Sequence, residues 1–240
     1  MRPVNKKNPG DVIEYSDSQG RTVKHTVQAE YAKYCDAKQP LAASLGKYCA
    51  YCERAIPSIA NIEVEHLEPK GDGGSETSWD NFLISCKCCN TVKPKTGIKL
   101  ADSHWPHLDN TFIDFIYDAG GRVLVNPNLA GEAKKKAERL YELFKLGRYP
   151  HTGFLPTDAD DRWKGRMEAW TLAETYKTRY QNGLLLLDDI VEMARAKGFW
   201  SVWYTVFDGI DEVRQALITA FPGTSAECFD KKNHFMPISR

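Results

Sequence analysis

Four cysteines, Cys49, Cys52, Cys86 and Cys89, form two Cys-x-x-Cys pairs, with Glu65, His66 and Asn81 between the pairs and Asn90 directly after the second. Thiolates at this spacing turn back on a single ion, and two such turns supply the four tetrahedral ligands of a zinc site. Four thiolates leave zinc no open position, so these cysteines are read as holding structure rather than performing chemistry. The step from Cys52 to Cys86 is 34 positions, longer than the roughly 15–20 of a simple zinc ribbon. Lengthening a loop adds only about half a kcal/mol per doubling, whereas zinc contributes roughly 10–16 kcal/mol in small finger peptides. An insertion between the pairs is therefore tolerated. Cys88 crowds the second pair, and the matching x-x spacing selects Cys86 and Cys89 over it. Cys35 and Cys228 lie outside the cluster and read as ordinary thiols.

His66 brings a different chemistry. An imidazole with an ordinary pKa close to 6.5 accepts a proton from water near neutral pH, the task of a general base. Taken alone, Glu65-His66 is an unremarkable pair of strand residues; its position between two knuckles gives it weight.

The segments Cys49-Ala50-Tyr51-Cys52-Glu53, Val64-Glu65-His66-Leu67-Glu68-Pro69-Lys70, Trp79-Asp80-Asn81-Phe82-Leu83 and Cys86-Lys87-Cys88-Cys89-Asn90, with Lys93 beyond, resemble an HNH endonuclease over about residues 45–95. The steps of 15 from His66 to Asn81 and 9 from Asn81 to Asn90 fit the ββα-metal core of that family. A narrower resemblance is to the HNH subunit of Septu-type and retron-associated bacterial anti-phage systems. The first resemblance implies His66 as general base, Glu65 and Asn90 as ligands of a catalytic cation, and Asn81 as the residue that holds the loop and His66 in place. Oxygen ligands of this kind suit Mg²⁺ or Mn²⁺, while thiolates select zinc. The family often carries histidine where this chain has Asn90. Lys93 belongs to the family pattern and implies a phosphate contact, and Lys70 is placed with it as a nucleic-acid-binding residue. The narrower resemblance implies a P-loop ATPase partner and a hetero-oligomeric defence complex. No Gly-Lys-Ser/Thr follows the glycines of residues 71–75, and no P-loop occurs elsewhere in the chain.

Whole-chain composition limits these expectations. With 32 basic and 32 acidic residues, no global attraction for nucleic acid exists, so affinity must come from a local patch or a partner. Residues 84–100 form such a patch, with Lys87, Lys93, Lys95 and Lys99 and no acid. Lys134-Lys135-Lys136 is flanked by Glu132 and Glu138 and reads as a solvated face. His104 and His107 lack a cysteine or acid to complete a ligand set. No apolar run is long enough to span a bilayer, and odd-numbered, clustered cysteines fit a reducing compartment. The expected setting is the bacterial cytoplasm, away from membranes.

The elements that must position these residues follow from local pattern. A hairpin is expected over residues 11–27, a helix over about 28–38 ending near Pro40, a shorter helix leading to Gly46, and strands near 62–64 followed by a helix from about Cys89. A second hairpin is expected over 112–125, then helices over 131–146 and from about 160 to 196. Along the last, Leu172, Tyr176, Tyr180, Leu184, Leu187 and Val191 make a helical stripe. The aromatic run Phe199, Trp200, Trp203, Tyr204 and Phe207 is read as core. The fold class is α+β, with an N-terminal region over 1–127 containing a zinc-tied ββα-metal module (core about 45–100) and a mostly helical region over 128–240. The expected activity is metal-dependent hydrolysis of DNA. The alternatives are a stand-alone or RNA-cleaving enzyme, such as one acting on tRNA, and a non-catalytic zinc-ribbon binding module.

Overall fold

A computed structural model describes residues 1–153 and 155–240. Strands β1 (Val12–Ser16) and β2 (Thr22–Thr26) pair antiparallel, as alternation around the Ser-Asp-Ser-Gln-Gly turn predicts. Asp17 fixes that turn by accepting from the backbone N–H groups of Gln19 and Arg21 at 2.8 and 2.9 Å. The helix expected over 28–38 does not form there. A short 3-10 turn at Tyr34–Ala37 leads instead into α1 (Lys38–Leu45), the shorter helix expected before Gly46, which begins ahead of the proline rather than after it. Pro40 lies in the first turn, where backbone N–H groups have no intrahelical partner, so its missing donor costs nothing.

Strand β3 (Glu63–His66) pairs antiparallel with β4 (Phe82–Ser85), placing Glu65 opposite Leu83 and His66 opposite Phe82. Helix α2 (Lys87–Val92) follows immediately, starting two residues earlier than expected because Cys86 is its N-cap. Strands β5 (Phe115–Tyr117) and β6 (Val123–Val125) form the second hairpin, and α3 (Gly131–Leu143) follows.

The long helix expected near 160–196 is two helices, α4 (Arg162–Gln181) and α5 (Leu187–Lys197). Asn182-Gly183 ends the first, with Gly183 in the left-handed region at φ 71°. The apolar stripe breaks at the same place: Leu172, Tyr176, Tyr180 and Leu187 pack on the C-terminal core, whereas Leu184 is 71% exposed. Helices α6 (Trp200–Val206) and α7 (Asp211–Ala220) and the short pair β7 (Phe229–Asp230) and β8 (Met236–Pro237) complete the chain. Trp200, Trp203, Tyr204 and Phe207 are buried, as read. Among the described residues no helix is long and apolar enough to cross a membrane.

Contacts run across the 127/128 boundary. Glu53, directly after the first knuckle and buried, accepts from the Ser201 backbone N–H at 2.9 Å and the Ser201 hydroxyl at 2.6 Å. Its carbonyl accepts from Phe199 N–H at 2.8 Å. A bridge pairs Arg54 with Gly198, where a Cβ would lie 2.6 Å from Ala55 N, so only glycine admits this approach.

Candidate functional site

The first knuckle is a tight turn closed by Cys49 N–H donating to Arg54 O at 3.0 Å and Glu53 N–H to Cys49 O at 2.9 Å. It is docked on β4 by Ala50 N–H, which donates to Ile84 O at 2.9 Å. The second knuckle is the start of α2, where the Cys86 sulfur accepts from Cys89 N–H at 3.5 Å. The four sulfurs lie within 4.8 Å of one another, all buried, with Cys52 and Cys86 Sγ 3.6 Å apart. A tetrahedral zinc with bonds of about 2.3 Å places its sulfurs about 3.8 Å apart, so the cluster fits that ion. No disulfide links these cysteines. Burial opposes ionisation at Cys49, yet hydrogen bonds from Cys52, Cys86 and Cys89 hold its proton affinity well below normal. Burial and the neighbouring thiolates push Cys89 up. Four close thiols cannot all ionise without a cation, and a dication removes that conflict. From α4, Arg162 reaches back: Nη1 donates to Cys89 Sγ at 3.3 Å and to Phe144 O at 2.7 Å, and Asp160 accepts from Nε and Nη2, each at 2.7 Å. Cys88 is half-buried outside the cluster, Cys35 is exposed, and Cys228 is buried elsewhere.

His66 closes β3. Its Nε2 lies 3.1 Å from Glu76 O, and because a carbonyl only accepts, Nε2 carries the proton and Nδ1 keeps its lone pair. Phe82 and Tyr34 meet the ring edge-on, with centroids 5.1 and 5.4 Å away. Partial burial, and secondarily the lysines at 70 and 93, lower its pKa from 6.5, so the imidazole is neutral at pH 7.

Asn81 ties the loop between β3 and β4. Its Oδ1 accepts from Glu68 N–H at 2.8 Å, and its Nδ2 donates to Glu68 O at 3.0 Å and Ser75 O at 2.7 Å. A Cβ on Gly74 would sit 2.0 Å from Glu68 O, so this closed loop requires glycine there. The same loop carries Glu76, so Asn81 holds the carbonyl that orients His66.

Glu65, His66, Lys70, Asn90, Lys93 and Lys95 line one cleft of about 450 Å³. Glu65 is buried, with Oε1 paired to the Lys93 ammonium and Oε2 accepting from the Tyr51 hydroxyl. Burial, then Glu65, drive the Tyr51 pKa well above 10, so it stays a donor. A carboxylate offers about four lone-pair sites, which leaves Glu65 capacity for a cation. Asn90 stands on α2 with Nδ2 3.5 Å from Glu63 Oε2, leaving its Oδ1 as the oxygen available to an ion. A carboxylate and an amide oxygen suit a hard, partly hydrated dication.

The structure corrects the expected place of Lys93. Its ammonium does not face outward to meet phosphate: it is buried against Glu65, His66 O and Leu67 O, because a carboxylate at 2% exposure requires a counter-ion. Lys70 stays at the rim, paired with Glu76 and lying 4.8 Å over the Tyr34 ring. Lys87, Lys95 and Lys99 are on the surface. His104 is paired with Asp114 at 3.0 Å, away from any cysteine. Tyr51, Tyr34, Glu76 and Arg162 escaped sequence reading. Tyr51 stood within a quoted motif, but nothing local links it to a carboxylate 14 positions downstream.

The search of curated proteins found no match to this chain. The HNH endonuclease family model matches residues 49–96, a stretch that spans both knuckles, His66, Asn81 and Asn90, so this part of the chain is similar to that family.

Proposed function

We propose that this protein hydrolyses DNA phosphodiester bonds with a divalent cation, and that His66 is the general base. The observation that carries this reading is the Nε2–Glu76 carbonyl bond, which leaves Nδ1 of a neutral imidazole as an acceptor in the cleft shared with Glu65 and Asn90. Nδ1 takes a proton from water, the water oxygen bonds to phosphorus, and the 3′ oxygen leaves with the bonding pair and takes a proton from solvent. Glu65 and Asn90 would hold Mg²⁺ or Mn²⁺, which supplies Lewis-acid stabilisation of the phosphate and leaving oxygen when bound. Asn81 keeps the Glu76 carbonyl, and through it the imidazole, in register. Lys70 at the rim, with the exposed Lys95 lining the same cleft, offers a cation to a phosphate. The four cysteines hold zinc as structure.

The setting we propose is a bacterial, cytoplasmic anti-phage complex in which a P-loop ATPase delivers DNA or releases the nuclease from inhibition. Support comes from the motif wording, from a net charge of +0 that offers no global pull on DNA, and from clustered thiols. Supercoiled plasmid incubated with Mg²⁺ or Mn²⁺, wild type against His66→Ala, with and without a co-expressed ATPase, tests both readings. Cutting that disappears in His66→Ala supports the nuclease. Intact plasmid in every condition with zinc bound overturns the DNA reading and shifts the substrate to RNA or the role to binding. Clean separation of the two proteins on size exclusion counts against the complex.

A further inference from the structure

The cleft has a charge balance that works against a dication binding alone. Its lining holds one carboxylate, Glu65, and three lysines, Lys70, Lys93 and Lys95. Glu65 is already neutralised by Lys93, with side chains 2% and 5% exposed. The Lys93 ammonium donates to Glu65 Oε1, to His66 O and, at 2.9 Å, to Leu67 O, which uses all three of its N–H groups. A carboxylate flanked by carbonyl oxygens is the cradle a hard cation seeks, and here an ammonium fills it. Trp105 backs the same ammonium, its ring centre 6.0 Å away. A dication approaching Glu65 meets a like charge in a partly buried cleft, where repulsion is poorly screened. A phosphodiester brings the negative charge that offsets it.

We propose that Lys93 is the resident counter-ion of Glu65, and that the divalent cation enters this cleft together with the phosphate of the nucleic acid rather than ahead of it. This rests on the nuclease reading above. Lys93 is then a positioning residue: it holds the Glu65 side chain aimed before substrate arrives, and it keeps the cation affinity of the empty cleft low. Coupling of this kind is reciprocal, so the cation strengthens DNA binding by the same factor that DNA strengthens cation binding.

The test is Mn²⁺ binding, read by electron paramagnetic resonance, to the zinc-loaded full chain carrying His66→Ala, with and without a short DNA duplex. The expected result is Mn²⁺ affinity about tenfold or more higher with duplex, within the usual range of coupling between two ligands. Adding Lys93→Met to this background is expected to raise the duplex-free Mn²⁺ affinity by about tenfold, since the competing charge is gone. Equal affinity with and without duplex, or weaker duplex-free binding in Lys93→Met, overturns the inference. Zinc content and circular dichroism report whether the Lys93→Met protein folds, and if it does not, the duplex comparison decides alone. Wild-type plasmid cleavage alongside equal Mn²⁺ affinities sinks the inference and leaves the nuclease standing, whereas no cleavage and no duplex effect sinks both.

Discussion

Arg162, at the start of α4, donates from Nη1 to the sulfur of Cys89 at 3.3 Å, so a guanidinium from the C-terminal helices sits against the four-cysteine cluster. Four thiolates around zinc carry surplus negative charge, and a buried guanidinium held by Asp160 offsets part of it. The four-cysteine cluster is therefore braced by a residue 73 positions beyond its last cysteine.

Replacing Arg162 with methionine leaves Asp160 buried with Arg148, 3.5 Å away, as its only ionic partner among the described residues. Breaking a buried pair in this way costs about 3–5 kcal/mol, and loss of an outer partner weakens metal binding by roughly 10–100-fold. Urea unfolding and zinc competition with a chromophoric chelator check both figures. Unchanged zinc affinity would show that Arg162 serves only the helix start.

Cys52→Ala is expected to lose zinc and, with it, the fold around both knuckles. The scale is set by the roughly 10–16 kcal/mol that zinc contributes in small finger peptides. Elemental analysis and circular dichroism read the outcome. A soluble, folded, metal-free Cys52→Ala protein would contradict a structural zinc.

Asn81→Ala removes the three hydrogen bonds that close the loop carrying Glu76. The imidazole then loses its fixed orientation, and a displacement of about 1 Å costs on the order of 100-fold in rate. Zinc content should stay normal, because no cysteine contacts this loop side chain. A plasmid-cleavage rate within twofold of wild type would remove Asn81 from the positioning role.

The pH profile of cleavage follows from the direction of the His66 shift. Burial lowers its pKa from 6.5, so the base stays unprotonated somewhat below that value and the acidic limb falls at lower pH than for free imidazole. His66→Ala is expected to lose about 10²–10⁴-fold in rate and the acidic limb with it. The sign for stability is the same. The unfolded chain takes up a proton at this histidine before the folded one does, so stability falls as pH drops through 6.5 and below. An acidic limb centred above 6.5 would rule out His66 as the base.

Chemistry-bearing residues were legible because their spacing is local: knuckle, strand, loop and helix start each lie within a few residues of the groups they present. Hairpins over 12–26 and 115–125 were readable for the same reason, since turn chemistry and alternation act over short range. Pro40 misled because one residue type both ends helices and fits their first turn. Asn182-Gly183 was overlooked because the apolar steps run on across it, although the left-handed glycine ends the helix.

Sequence alone determined which four cysteines come together, that His66 lies between the two pairs, and the strand–loop–strand–helix order that carries them, because those depend on side-chain type and short spacing. Only the tertiary structure decided where Lys93 points, what holds Glu65 and what stands behind Cys89. These outcomes turn on satisfying buried charges, and the partners come from Tyr51, Lys93 and Arg162, which no local periodicity links to the groups they neutralise.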